Sequence, residues 1–164
     1  MVAEDAREQH GSGGDQGAGC VFCAIVAGTA PASVVHDDGD PAGVLAFLDI
    51  RPITPGHLLV VPKRHAPYLA DLDEAEGARV WGVALRLARA LRASGLRCEG
   101  VNLFLADGEA AGQEVFHAHL HVFPRFAGDG FRMEDELVVA PRAELDATAA
   151  RLRAASAAVF EEEP

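Results

Sequence analysis

The stretch of sequence that decides the fold is FHAHLHVF, residues 116–123, in which His117, His119 and His121 occupy alternate positions. Successive side chains of a β-strand point to opposite faces, so a strand over 116–123 presents all three imidazoles on one face. The other face consists of the apolar residues Phe116, Ala118, Leu120 and Val122. A shift by one residue would bury the histidines and expose this apolar set. The pattern therefore predicts a strand that carries a histidine-lined site.

A row of three histidines supports two kinds of chemistry. Neighbours in the row lie about 6.6 Å apart at Cα, and the outer pair about 13 Å apart. Because zinc–nitrogen bonds are about 2 Å long, two members could share a metal, and all three could do so only in a sharply bent strand. Neutral imidazole is also a good nucleophile near pH 7, and its attack on phosphorus gives a phosphohistidine. The spacing therefore favours different roles for the three histidines. The backbone N–H groups of the small-residue loop 108–113 would be available to phosphate oxygens.

Outward from residues 116–123, apolar runs and turn signals predict the other elements. The predicted strands cover 34–36, 44–48, 57–61, 101–105 and 116–123. The predicted helices are a short one within 20–27, a long one over 73–94 and a C-terminal one over 144–158. Asp73 and Glu76 form a capping-box pattern, and Gly95 suits the position after the long helix. We expect an α+β fold, a mostly antiparallel sheet of about five strands with the long helix packed on it.

Composition limits the class of protein. The chain has 164 residues, of which 49% are hydrophobic, and a net charge of −11 that argues against a protein coating DNA or RNA. Residues 1–19 contain five glycines and no large apolar residue after Val2. We therefore expect a flexible tail over 1–19 and a single domain over 20–164. No segment resembles a signal peptide or a membrane span, which favours a cytoplasmic protein without a membrane partner.

The cysteines are too few and too unevenly placed for a disulfide framework. Cys20 and Cys23 form a Cys-x-x-Cys pair, and Cys98 stands alone. The pair suits half of a metal site, whereas a redox pair would be expected within a thioredoxin-like βαβ pattern that is not seen here. Two buried free thiols are the remaining alternative. We interpret Cys98 as a small core residue.

Three segments resemble the histidine triad (HIT) family, in the family's order. They are CVFCAIVAGTAPASVVH (20–36), LAFLDIRPITPGHLLVVPKRH (45–65) and GEAAGQEVFHAHLHVFPRFAGDGF (108–131). The resemblance, to zinc-containing bacterial members of the Hint and Fhit type, implies the HIT-like α+β fold. It implies a nucleotide hydrolase or transferase that acts at the α-phosphate of a purine nucleotide through a covalent nucleotidyl-histidine. Phosphoramidates and dinucleoside polyphosphates are both candidate substrates.

The resemblance also implies roles for individual residues. His119, the middle member of the triad, matches the nucleophile. The remaining catalytic positions match His121 and His57, which line the phosphate site, and Gln113 in the phosphate loop. The nucleotide-binding positions match Asp49 for the ribose, Phe22, Phe47 and Ile50 for the wall around the base, and Gly112 for the loop.

A zinc site and a dimer follow from the same resemblance. Bacterial relatives combine Cys-x-x-Cys with two histidines in a closed site, and the matching positions here are Cys20, Cys23, His65 and His117. This implies one structural Zn²⁺ per chain. The family pattern also implies a homodimer in which the long helix and the strand near 100–106 pair across a two-fold axis. Apolar residues on more than one face of that helix agree with a shared surface.

Two positions depart from the family pattern. Ala106 stands where the family often has Asn or Gln, and Glu114 where it often has Ser or Thr. We expect an acidic residue at 114 to disfavour acidic leaving groups and to suit neutral or cationic ones. The lost amide at 106 leaves a second interpretation open, a zinc-stabilised nucleotide-binding or scaffold module with little turnover.

Overall fold

The computed structural model describes residues 19–132 and 137–161, so nearly all of the tail predicted over 1–19 lies outside the described residues. The strands are β1 Val34–Asp37, β2 Val44–Leu48, β3 Leu58–Pro62, β4 Gly100–Phe104 and β5 Leu120–Arg125. The helices are α1 Val21–Val26, α2 Glu74–Ala93 and α3 Arg142–Glu161, with short 3₁₀ turns at Leu69–Asp71 and Glu109–Ala111. The predicted α+β class is confirmed.

All five strands belong to one antiparallel sheet in the order β1-β2-β3-β5-β4. Every residue of β2 and β3 is buried, as their continuous apolar runs predict for central strands. The main core lies between the sheet and the helices and is built largely from aliphatic side chains, with Leu48, Leu58, Leu87 and Leu152 among the most buried. A smaller cluster around Phe22 and Phe47 lies under α1.

Helix α2 begins and ends at the predicted signals. The side chain of Asp73 accepts a hydrogen bond from the backbone N–H of Glu76, and the Glu76 carboxylate accepts one from the backbone N–H of Asp73. Gly95 follows the helix with a φ of +75°. One face of the helix is buried in the core, whereas Trp81 and Leu85, four residues apart, are 52% and 42% exposed. The helix therefore carries a second apolar face that the described residues leave uncovered.

The predicted strand over 116–123 is wrong at its beginning, because β5 starts only at Leu120. Phe116, expected in the core, is 42% exposed. The segment before Leu120 leaves the sheet because its polar groups bond elsewhere: the backbone N–H of Ala118 donates to the carbonyl of Ala66 at 2.6 Å. The Nε2 of His117 hydrogen-bonds the carbonyl of Pro62, the last residue of β3, at 2.8 Å. His121 is thus the one triad histidine that lies within the strand.

The C-terminal helix is longer than predicted and begins two residues earlier, at Arg142. It packs against α2 and β1. The backbone N–H of Ala140, just before it, donates to the carbonyl of Ile50 at 2.8 Å. This bond holds the segment before α3 against the loop after β2. Among the described residues, no helix combines the length and apolar character that spanning a bilayer requires.

Candidate active site

A cavity of about 600 Å³ opens where α1, the loop after β2 and the beginning of β5 meet. Eight of the nine residues predicted to bind or transform a nucleotide line it: Phe22, Phe47, Asp49, Ile50, His57, Gly112, His119 and His121. They come from distant parts of the chain, which the sheet order brings together. The ninth, Gln113, is buried in the loop beside the cavity.

The imidazole of His119 is held in one orientation. Its Nδ1 lies 2.7 Å from the carbonyl oxygen of His117, and a carbonyl only accepts, so Nδ1 carries the proton. In the neutral ring the lone pair is then on Nε2. Phe22 packs edge-on against the imidazole, with 5.2 Å between ring centroids, and the side chain is only 6% exposed. The arrangement leaves one unprotonated nitrogen on a cavity-lining ring.

A chain of hydrogen bonds sets the protonation of the other two cavity histidines. The backbone N–H of Ile53 donates to Nδ1 of His57 at 3.2 Å, so the neutral His57 ring carries its proton on Nε2. That Nε2–H donates to Nδ1 of His121 at 2.9 Å. The proton of His121 must then be on Nε2. The chain therefore provides an N–H donor on a ring that packs 4.8 Å from His119, centroid to centroid.

The backbone conformation of Gly56 positions His57 for these hydrogen bonds. Its φ is +99°, a conformation that side-chain-bearing residues rarely adopt. A Cβ at this position would lie 2.8 Å from the Leu96 side chain and 3.0 Å from that of Leu91. Glycine thus lets the loop turn closely over the end of α2, and His57 follows at the entry to β3.

The four residues predicted to bind zinc form a second cluster. The ligand atoms of Cys20, Cys23, His65 and His117 all lie within 4.8 Å of one another. Sulfur and Nδ1 atoms are separated by 3.3 Å for the Cys23–His65 pair and by 3.6 Å from each cysteine to His117. Ligands on a tetrahedral zinc place sulfur and nitrogen about 3.6 Å apart. The donor set and its spacing therefore fit Zn²⁺.

The hydrogen bond on the far side of the His117 ring agrees with this fit. Its Nε2–H donates to the carbonyl of Pro62, which leaves Nδ1 with the lone pair directed at the sulfur atoms. Metal-binding histidines commonly donate their second nitrogen to a carbonyl in this way. The cluster thus joins α1, the segment after β3 and the segment before β5.

The comparison with known families agrees with this geometry. The family model described as the HIT domain matches residues 27–128. This chain belongs to the HIT domain family. An uncharacterized HIT-like protein of Mycobacterium tuberculosis is 44% identical over 138 residues, which cover 84% of this chain and 93% of the relative.

Solved HIT structures share the fold. The crystal structure of a zinc-bound histidine triad family protein from Mycobacterium smegmatis is 43% identical, with a TM-score of 0.77 over 88% of this chain and 97% of that one. A hypothetical histidine triad nucleotide-binding protein from Sulfolobus tokodaii is 25% identical, with a TM-score of 0.75 over 85% and 93%. A HIT family hydrolase from Legionella pneumophila is 36% identical, with a TM-score of 0.55 over 70% and 95%.

Burial keeps the three cavity histidines of this HIT domain neutral. Burial, together with a smaller effect of the neighbouring imidazoles, lowers the pKa of His57 to about 3 and that of His121 to about 4. The pKa of His119 is also lowered by burial, but the His117 carbonyl and the carboxylates of Asp49 and Glu114 oppose the change. At pH 7 the cavity therefore contains neutral rings that donate or accept hydrogen bonds.

Asp49 lies in the cavity wall just after β2. One carboxylate oxygen accepts a hydrogen bond from the backbone N–H of Arg51 at 2.8 Å, and the other lies 3.8 Å from Nδ1 of His57. Burial raises the pKa of this carboxyl group, whereas the bond from Arg51 opposes the rise. The residue thus presents a partly desolvated hydrogen-bond acceptor to the cavity.

The loop over residues 108–113 differs from the sequence-based prediction. The backbone N–H groups expected to bind phosphate are used largely within the loop, at Gly108, Ala111, Gly112 and Gln113. The side chain of Gln113 accepts from Gly108 and donates to the carbonyls of Pro67 and Val115. The buried amide of Gln113 thus closes the loop on itself.

The structure shows the surroundings of Glu114 and Ala106, the two residues that depart from the family pattern. Glu114 forms an ion pair with Arg51, so its carboxylate is not a lone charge. The expected effect of Glu114 on acidic leaving groups stays a prediction. Ala106 is 4% exposed and is not among the described residues that line the cavity. The methyl group of Ala106 therefore lies in the protein interior and not on the cavity wall.

Several cavity residues were not found from the sequence. They are Arg51 in the loop after β2, the aromatic residues Phe104, Phe123 and Phe131, and Leu137 and Arg142 near the start of α3. The position of Arg51, two residues after the predicted ribose ligand Asp49, is the one sequence feature that could have indicated its place in the cavity. Leu137 and Arg142 lie beyond the HIT match, and only the return of α3 to β1 brings them to the cavity.

Proposed function

We propose that this protein is a nucleotide hydrolase or transferase that works through a nucleotidyl group on Nε2 of His119. The observation that carries the proposal is the hydrogen bond from Nδ1 of His119 to the His117 carbonyl. It leaves Nε2 as a lone-pair nitrogen on a ring lining the cavity. A neutral imidazole in that state can attack phosphorus without first losing a proton.

The reaction has two displacements. Nε2 forms a bond to the α-phosphorus, and the bond from phosphorus to the leaving group breaks with its electron pair going to that group. A departing amine nitrogen takes up a proton from solvent in this step, whereas a departing phosphate leaves as the anion. The ring retains its proton on Nδ1 and becomes cationic, which strengthens the hydrogen bond to the His117 carbonyl. Water then attacks phosphorus and releases one proton to solvent, while the N–P bond breaks with its electron pair returning to Nε2. Neutral His119 and a nucleoside monophosphate result. Another acceptor in place of water makes the reaction a transfer.

His121 and His57 assist through the hydrogen-bond chain between them. The Nε2–H of His121 donates to a phosphoryl oxygen as negative charge develops there, which stabilises the transition state. His57 does not reach the phosphate through this chain. It holds Nδ1 of His121 as an acceptor, so that the donor nitrogen stays on the cavity side.

The nucleotide fits the remaining walls. Phe22, Phe47 and Ile50 supply an apolar wall suited to a purine base, and Asp49 supplies the acceptor for ribose hydroxyls. Gly112 contributes its backbone beside the phosphate, while Gln113 maintains the shape of the loop. The Sulfolobus relative described as nucleotide-binding and the Legionella relative described as a hydrolase support this reading.

We also propose one structural Zn²⁺ per chain at Cys20, Cys23, His65 and His117. The spacing of the four ligand atoms and the zinc-bound Mycobacterium smegmatis relative support it. When bound, the ion supplies cross-linking rather than chemistry, because a closed four-ligand site has no open position for substrate. Thiolate ligands must remain reduced, which is consistent with a cytoplasmic location.

We propose a homodimer as the working form. Trp81 and Leu85 form an exposed apolar face on α2, and β4 is an edge strand with one side unpaired among the described residues. Exposed strand edges and apolar helix faces favour association. A two-fold axis would use the same patch on both copies.

Ala106 favours a second candidate, a zinc-stabilised nucleotide-binding module with little turnover. The amide that many HIT proteins carry at this position is absent, and the methyl group is buried. Such a module would bind the same nucleotides without efficient transfer to His119.

Intact-mass spectrometry after brief incubation with an adenosine 5′-phosphoramidate, quenched in alkali, distinguishes the two candidates. The enzyme accumulates one adenylyl adduct, which His119→Ala abolishes and His36→Gln retains, since His36 lies on β1 outside the cavity lining. Binding of the nucleotide without an adduct or released product would reject the enzyme and leave the binding module.

A further inference from the structure

An ion pair joins the two loops that form the cavity's polar side. Arg51 lies in the loop after β2 and Glu114 in the segment before β5, and their side chains form a salt bridge. Both residues line the cavity together with His119. The two side chains are 46% and 71% exposed, so the pair lies at the solvent side of the site rather than in its interior.

Arg51 is the cavity cation best placed to meet a leaving group. Among the described residues that line the cavity, Arg51 and Arg142 are the two with a permanent positive charge. Arg142 is engaged at the start of α3, where it donates to Ser33 Oγ at 3.0 Å. Arg51 instead follows Asp49 by two residues, and its backbone N–H is bonded to that carboxylate. Its guanidinium therefore extends from the ribose side of the site toward the segment that carries His119.

We propose that Arg51 and Glu114 form a displaceable ion pair that selects the leaving group by charge. When a nucleoside polyphosphate binds, its distal phosphates form hydrogen bonds with the Arg51 guanidinium and displace the Glu114 carboxylate, which turns to solvent. When the leaving group is a neutral or cationic amine, no anion competes, and the pair stays closed. The proposal rests on the proposed nucleotidyl transfer and assigns the leaving-group specificity of that site.

The energetics favour such an exchange. An exposed ion pair contributes little stability, so its opening costs little. A guanidinium binds phosphate oxygens through two parallel, charge-assisted hydrogen bonds, and a polyphosphate carries more negative charge than one carboxylate. The neutral histidines of the cavity offer no competing charge. The ion pair with Glu114 therefore keeps the Arg51 guanidinium at the cavity until a phosphate group displaces the carboxylate.

The test compares two substrates that share the adenylyl group and differ in the leaving group. One is diadenosine tetraphosphate and the other an adenosine 5′-phosphoramidate of an alkyl amine. The readout is the ratio of their kcat/KM values in the wild type, Arg51→Gln and Glu114→Gln. The control is Arg97→Gln, which breaks the exposed Arg97–Glu99 pair outside the cavity lining.

We expect the tetraphosphate-to-phosphoramidate ratio to fall about 10-fold in Arg51→Gln, because one charge-assisted phosphate contact is lost. In Glu114→Gln the ratio rises, because Arg51 no longer has a competing carboxylate. Arg97→Gln keeps the wild-type ratio. Equal losses on both substrates in Arg51→Gln, or an unchanged ratio in both cavity variants, overturn the proposal.

A binding measurement separates this proposal from the proposed function. Calorimetry compares AMP with a methylene-bridged ATP analogue that cannot transfer its nucleotidyl group. We expect Arg51→Gln to weaken binding of the analogue several-fold more than binding of AMP. Failure of His119 to form an adduct would reject the enzyme without affecting this result. An equal loss for the two ligands would reject Arg51 as the residue that binds the distal phosphates.

Discussion

His57 and His121 share one hydrogen bond, 2.9 Å from Nε2 to Nδ1, that joins the entry of β3 to the beginning of β5. The backbone N–H of Ile53 determines its direction, because it leaves His57 only Nε2 as a donor. A loop amide thereby controls which nitrogen of a cavity histidine carries a proton. In the proposed reaction, that control keeps the His121 donor directed at the phosphate.

His57 is therefore a positioning residue whose loss can be rescued. His57→Ala should reduce kcat about 10- to 100-fold, the usual scale for a group that orients another. His57→Gln should recover much of the loss, because its amide nitrogen can reach the place of Nε2 and donate to His121. Steady-state kinetics on a phosphoramidate measure both variants. Equal activity of the Ala and Gln variants would show that the hydrogen bond has no catalytic role.

His121 is expected to act mainly in the transition state. His121→Ala should lower kcat on the order of 10²–10³-fold with a smaller change in KM, because one donor to developing charge is removed. His119→Ala should remove turnover altogether. An increase in KM with normal kcat in His121→Ala would assign this residue to substrate binding instead.

Removal of the cysteine pair should release zinc and destabilise the fold. Metal analysis of the purified wild type should find about one zinc per chain, as a closed four-ligand site predicts. Cys20→Ser/Cys23→Ser should lose the metal and unfold at a lower temperature in calorimetry. Cys98→Ser, which is outside the cluster, should retain it. Well under half an equivalent in wild type purified without chelators would contradict the site.

Acid should destabilise the protein through its buried neutral histidines. The unfolded chain protonates these imidazoles near pH 6.5, whereas the folded pKa values of His57 and His121 are about 3 and about 4. Their full contribution is therefore present above about pH 6.5 and declines as the pH falls toward 4. Burial raises the pKa of Asp49, which opposes part of the decline at the acidic end.

His57→Gln isolates this effect from that of the zinc ligands. Urea unfolding at pH 7, 6 and 5 should show a shallower loss of unfolding free energy in the variant than in the wild type. The difference has an upper limit of about 1.4 kcal/mol per pH unit for one imidazole. Parallel curves for the two proteins would mean that His57 titrates normally in the folded state.

The exposed face of α2 should hold two copies together. Multi-angle light scattering should give about twice the 17.2 kDa mass of the chain. Trp81→Glu/Leu85→Glu should give the single-chain mass, because two charges cannot be buried unpaired at an interface. Val139→Glu, also at an exposed apolar residue, serves as the control. A wild type that is monomeric at micromolar concentration would rule out this dimer.

The sequence by itself predicted most of the secondary-structure elements and the family. Continuous apolar runs predicted β2 and β3, and the pattern of Asp73, Glu76 and Gly95 predicted the limits of α2 to within one residue. These predictions succeed because they depend on local periodicity and local hydrogen bonds. The alternation of His117, His119 and His121 likewise predicted a histidine-lined site, and two of the three, His119 and His121, line the cavity.

Only the tertiary structure decided which groups the polar residues of the site contact. The bend before Leu120 depends on carbonyls of Pro62 and Ala66, and the pairing of Glu114 depends on Arg51, 63 residues away. The proton positions on His57 and His121 depend on the backbone N–H of Ile53 and on the hydrogen bond between the two rings. No sequence period encodes such contacts, because they join polar groups that only the folded chain brings within bonding distance.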